Sequence, residues 1–188
     1  MDKEVMVKEE TEGEKESISF SVQMTAKEVF RFSFHHSYFK LAGLIGIIMS
    51  LTAIVILISC YSQLEDKNKA ILLIVGLWFT ILEPLTIWSR SNSQAKRNPA
   101  YKKALHYTMN GEGITVSQDE QSQSIAWERL MKIVETKYQY LVYSSKIHAF
   151  VFPKTALGDK REEVERMMFR YTEGTKVKVS SGIKKRNK

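Results

Sequence analysis

The sequence predicts an α+β membrane protein. A two-span transmembrane helical hairpin is inserted after the first strand of a small antiparallel β domain, which a C-terminal helix closes. Three observations predict this. Two apolar runs, 41–62 and 70–89, stand only seven residues apart. A strictly alternating segment, 17–24, precedes them. Short β-like segments and one amphipathic stripe follow them.

The first run, LAGLIGIIMSLTAIVILISCYS, has 22 positions and no charge. At about 1.5 Å of rise per residue it covers roughly 33 Å, enough for a hydrocarbon core of about 30 Å. The second, AILLIVGLWFTILEPLTIWS, has 20 positions and one charge, Glu83. A soluble amphipathic helix of this length would show a polar face, and neither run has one. The intervening 63–69 reads as an extracytoplasmic loop.

Charge orients the hairpin. Lys27, Arg31 and Lys40 precede the first run, and Arg90, Lys96, Arg97, Lys102 and Lys103 follow the second. The connecting loop offers only Lys67 and Lys69. Basic residues mark the cytoplasmic side, so both termini are expected there. Tyr38 and Trp88 would lie at the inner boundary and Tyr61 at the outer one. The expected location is the bacterial inner (cell) membrane.

The remaining segments follow in order. Residues 1–16 carry Glu4, Glu9, Glu10, Glu12, Glu14 and Glu16, which predicts a disordered acidic segment and excludes a basic signal n-region. In 17–24, Ile18, Phe20, Val22 and Met24 share one face, the pattern of a half-buried strand. Thr25 and Glu28 have capping-box spacing, predicting a juxtamembrane helix over 25–40 that runs into the first span. Residues 90–104 read as a basic juxtamembrane linker, stopped by Asn98-Pro99. Strands are expected at 105–109, 113–117, 123–127, 132–136, 138–144 and 147–152. With 17–24 they make about seven. Asp159 and Glu162 have capping-box spacing, and Val164, Met167, Met168 and Tyr171 form a helical stripe. The cytoplasmic domain therefore spans 105–174. The tail 175–188 is basic and expected to be flexible. A single cysteine, Cys60, excludes a disulfide framework within the chain.

Tyr107-Thr-Met-Asn-Gly-Glu-Gly113-Ile, Ile125-Ala-Trp127-Glu-Arg-Leu and Phe152-Pro153-Lys154-Thr-Ala-Leu157 resemble the YcxB-like family of small bacterial membrane proteins. The resemblance is close over roughly 98–170. It implies a pleckstrin-homology-like (PH-like) C-terminal domain and membrane association, and carries no activity and no catalytic residues.

Glu83-Pro84 is the most unusual intramembrane feature, since a carboxylate within a span is costly. Counting from the loop centre, Ser50 and Thr52 come within about a turn of it, so Glu83, Ser50 and Thr52 are the candidate polar clasp of the hairpin. Arg90, Lys96, Arg97, Lys102 and Lys103 are candidate lipid-facing residues; a polybasic segment gains about 1 kcal/mol per residue at an anionic leaflet. Lys154 is a candidate groove residue. The four histidines lack ligand spacing, so neither metal nor cofactor is expected. No G-x-S-x-G, H-E-x-x-H or phosphate-cradling loop occurs.

The expected function is non-enzymatic: an adaptor or regulator of a membrane protein, or a reader of anionic lipid headgroups. The expected partners are the lipid bilayer, a membrane protein and those headgroups, and not nucleic acid. Two alternatives stand beside it. One is protection (immunity) against a membrane-active toxin or peptide; the other is an intramembrane enzyme or carrier subunit using Glu83.

Overall fold

The alternation of the N-terminal segment becomes β1 (Ile18–Val22), with Ile18, Phe20 and Val22 buried and Ser19 and Ser21 exposed. The computed structural model describes residues 16–188, so all of the expected acidic segment except Glu16 lies outside the described residues. It divides into two units. One combines the residues up to Val22 with Ala104–Lys188; the other is Gln23–Lys103.

In the first unit β1 pairs antiparallel with β2 (Leu105–Met109), Phe20 lying opposite Tyr107. β3 (Gly113–Gln118) and β4 (Gln121–Ala126) extend this sheet in the order β1-β2-β3-β4. A two-residue period puts Ser19, Ser21, His106, Thr108, Thr115 and Ser117 on one face and the apolar residues on the other. The β2–β3 turn is closed by the Asn110 side chain, whose Oδ1 accepts from the amides of Glu112 (2.9 Å) and Gly113 (3.1 Å). Gly113 has no alternative: an added Cβ would stand 2.1 Å from the carbonyl oxygen of Ile125.

The second sheet has β5 (Lys132–Glu135), β6 (Gln139–Tyr143) and β7 (Ala149–Pro153) as antiparallel neighbours. A short β8 (Lys178–Val179) joins β5 in parallel, giving the order β7-β6-β5-β8. All five residues of β6 are buried. An aromatic core links the sheets: the Phe20 ring lies 5.0 Å from Phe152 and 5.5 Å from Tyr107.

After β7 come a single turn, α5 (Lys154–Leu157), a 3₁₀ turn (Gly158–Lys160) and α6 (Arg161–Thr172). The expected stripe is buried at Val164, Met167 and Met168, each worth about 1.5–3 kcal/mol of apolar burial. Tyr171 instead stacks on Trp127 at 5.8 Å. The helix begins one residue later than the capping box implied. Lys160 holds the cap position without a side-chain bond, because Asp159 is used in the 3₁₀ turn.

The tail departs from expectation. Residues 175–188, expected to be flexible, carry β8 and α7 (Ser181–Arg186). Ile183 is fully buried, and the Ser180 amide donates to the Ile133 carbonyl at 3.0 Å. The basic composition hid an apolar anchor and carboxylate partners that are distant in sequence.

In the second unit α1 (Ala26–Tyr38) packs against α4 (Glu83–Arg97), and α2 (Leu41–Ser59) packs against α3 (Asp66–Leu77). The Thr25 hydroxyl bonds the Glu28 carboxylate rather than a backbone amide. α1 stops before the first apolar helix, because Lys40 is extended. Gly43 permits the close approach of the two helix ends, since a Cβ there would meet the Ser37 carbonyl oxygen at 2.1 Å.

α3, a π-turn over Trp78–Leu82 and α4 form one continuous helix from Asp66 to Arg97. It therefore takes in part of the expected loop and the first half of the expected basic linker: charge ends an apolar run but does not end a helix. The other helix ends at Ser59, three residues short of its apolar run. Both helices are long and apolar enough to cross a membrane.

Candidate functional site

The π-turn follows from Pro84. Proline lacks the N–H that would bond the Thr80 carbonyl, so the helix cannot continue with ordinary i→i−4 bonding. The Glu83 amide reaches back five residues to the Trp78 carbonyl. Around this turn the hairpin collects its polar contacts. The Tyr38 hydroxyl donates to the Phe79 carbonyl at 2.5 Å, and the Thr80 hydroxyl to the Gly76 carbonyl at 2.7 Å. Ser50, fully buried, donates across the hairpin to the same Gly76 carbonyl at 2.5 Å and to that of Val75 at 3.1 Å.

Ser50 thus clasps backbone carbonyls rather than Glu83. Thr52 faces outward, and Glu83, half-buried, has no hydrogen-bond partner among the described residues. Small residues, rather than equal distance from the loop, set the helix contact. Gly43, Gly46, Ser50 and Ala53 are the buried face of α2. A Cβ at Gly46 would lie 2.3 Å from the Phe79 ring. Small residues at such spacing are a readable signal for close helix packing in apolar surroundings.

The other expected residues separate into two groups. Arg90, Lys96, Arg97, Lys102 and Lys103 are exposed. Lys154 does not line an open groove: its ammonium donates to Glu135 Oε1 at 2.7 Å and lies 5.1 Å from the Tyr140 ring centroid. His35 stacks on Phe39, and the His36 ring lies tilted 5.7 Å from Phe32. Among the described residues no three His, Cys, Asp or Glu side chains come together as metal ligands.

Lys154 belongs to a charge cluster that spacing did not reveal. Glu135, at the end of β5, also meets Arg186 Nη2 at 2.9 Å and Arg161 Nη2 at 3.7 Å. Glu165, on α6 and 3% exposed, accepts from Arg186 Nε at 2.5 Å, Arg161 Nε at 3.0 Å and the Tyr140 hydroxyl. Burial would raise the Glu165 carboxyl, but the hydrogen bonds from Arg186, Tyr140 and Arg161 outweigh it and hold it below the usual carboxylate range. Glu135 is held low in the same way, burial being outweighed by Lys154 and Arg186. Burial, and then the bond to Glu165, push the Tyr140 hydroxyl up. Every member has opposite charges or donors around it, which makes this a structural lock on the tail.

The three motif segments that carry the resemblance meet in space. Trp127 Nε1 donates to the Asn110 carbonyl at 2.8 Å, Gly113 lies against the Ile125 backbone, and Tyr107 meets Phe152 at 4.9 Å. Residues 110–168 match the family model described as YcxB-like protein. Over this segment the chain is similar to that family. The searches of curated proteins and of solved structures return no match. The YcxB-like segment contains Glu135, Tyr140, Lys154, Arg161 and Glu165; Arg186 and the first two strands of the unit lie outside it.

Proposed function

We propose that the protein is a non-enzymatic, membrane-anchored binding module. Two spans hold a PH-like domain at the cytoplasmic face of a bacterial cell membrane. There it serves as an adaptor or regulator of a membrane protein, or reads lipid headgroups.

One observation carries the anchoring. Leu44, Ile48, Ile58, Ile74, Ile81, Leu85 and Trp88 are exposed, and only 22% and 11% of the most apolar stretches of the two long helices are buried. Core helices of a water-soluble protein would bury these side chains. The orientation rests on the basic residues flanking the pair. The PH-like reading is supported by the order of four antiparallel strands, three antiparallel strands and a helix. A binding role is favoured because the charge cluster around Glu135 and Glu165 is closed on itself.

A second reading, protection against a membrane-active toxin or peptide, is favoured by Glu83, a carboxylate without a hydrogen-bond partner among the described residues in an apolar helix. The test is purification of the full chain from native membranes in mild detergent, followed by mass spectrometry. A stoichiometric membrane protein, lost when 98–171 is deleted, supports the adaptor. Copurifying lipid alone supports headgroup reading. Toxin resistance lost with Glu83→Gln, in an intact domain, supports protection. Release of the chain from membranes by alkaline carbonate overturns the anchor.

A further inference from the structure

The first unit holds an open cleft of about 580 Å³, within the size range of small-ligand sites. Its floor is the polar face of β1 and β2, and its wall is the segment Thr155–Lys160. We infer that this cleft binds a phosphate ester carrying an ammonium group, the zwitterion of an ethanolamine-phosphate headgroup. The inference deepens the headgroup-reading arm of the proposed function and rests on it.

The floor sets the polarity. Strand alternation brings Ser19, Ser21, His106 and Thr108 to one side, with Ser19 bonded to Thr108 at 3.0 Å and Ser21 to His106 Nδ1 at 2.8 Å. Ser21 and His106 Nδ1 share one hydrogen bond, so Nε2 is the imidazole nitrogen left to a ligand. A floor of hydroxyls and an imidazole suits a ligand rich in acceptors.

The wall sets the charge. Lys160 donates to the Ser19 carbonyl at 2.7 Å, which holds its ammonium over the floor with two N–H groups left. Beside it, the exposed Asp159 carboxylate has no hydrogen-bond or ion-pair partner among the described residues. Gly158 at φ +51° turns the chain here, with nothing within 4 Å of a Cβ. One fixed cation and one open carboxylate leave the cleft neutral overall. A simple anion would meet repulsion from Asp159, and a simple cation repulsion from Lys160. A zwitterion answers both. The two remaining Lys160 N–H groups and the Thr155 hydroxyl supply three donors, which suits the several oxygens of a phosphate better than the two of a carboxylate.

The test titrates the full chain in detergent micelles with sn-glycero-3-phosphoethanolamine, followed by ligand-detected NMR. Glycerophosphoglycerol, which lacks the ammonium, and inorganic phosphate are the comparison probes. Saturable binding that favours glycerophosphoethanolamine is expected, weakened about tenfold by Lys160→Gln and by Asp159→Asn. Asp159→Asn should also abolish the preference over glycerophosphoglycerol, which a loss of folding would not do. Ser122→Ala, on the same face beyond the cleft, should bind as the parent does. No saturable binding, equal binding of the two esters by the parent, or an unchanged preference in Asp159→Asn overturns the site.

Nanodiscs separate the ligand sources, and either result agrees with the site. If phosphatidylethanolamine in the disc blocks the soluble ester, the ligand is a lipid headgroup. If it does not, the ligand is a free phosphate ester. Failure of the titration while the chain resists carbonate extraction removes only this inference. Release by carbonate removes the anchor and leaves the titration readable.

Discussion

Glu165 and Arg186 show how much a single buried charge can organise. Replacing Arg186 with alanine removes donors from two carboxylates, one of them nearly inaccessible. Because Arg186 is partly exposed, a cost of about 2 kcal/mol is expected, less than for a fully buried pair. Hydrogen exchange should show it first at the Ser180 amide, whose bond to Ile133 joins the tail to β5. The same carboxyls set the acid response. Both have pKa values depressed in the folded state, so the folded state binds fewer protons than the unfolded one. Their contribution is complete above the unfolded glutamate value of about 4.3 and is lost as pH falls through the folded values. Acid titration of tail protection should therefore be flat near neutrality and collapse below about pH 4. Glu165→Gln should remove much of that transition.

At the scale of elements, the hairpin depends on close approach and the second sheet on a borrowed edge. Gly46→Val would drive a side chain into the Phe79 ring. An overpacking cost of about 1–3 kcal/mol is expected, read as a lower midpoint for unfolding the helix pair in detergent. Truncation after Thr175 removes β8 and α7 together. It uncovers the β5 edge and leaves Glu165 without Arg186, so faster proteolysis of the first unit is expected. Proteolysis at the parent rate would show that the tail adds little.

The whole molecule is tested by topology. In a chain whose Cys60 has been replaced by serine, a cysteine at Asp66 should react with an impermeant thiol reagent added outside intact cells. A cysteine at Ser181 should react only after permeabilisation. The reverse pattern would invert the proposed orientation. Deleting 17–24 should unfold the first unit, because β1 pairs along its whole length with β2 and contributes Phe20 to the aromatic core.

Sequence by itself determined what local periodicity and composition can encode. The two apolar helices, the alternating β1, the six central strands to within two residues at each end, and the α6 stripe were all legible. Each is a pattern over neighbouring positions, and burial of one face enforces it. The resemblance was legible too, because the motif segments around Asn110, Trp127 and Phe152 are contiguous in the chain. Only the tertiary structure decided the rest. Ser50 chose the Gly76 carbonyl over Glu83 because a stripe of small residues brings the backbones close. Lys154 became an ion-pair partner, and the basic tail became an ordered strand and helix, because Glu135 and Glu165 stand on different elements. Charges that neutralise one another across such distances leave no spacing to read, and neither does a cleft walled by β1, β2 and the turn before α6.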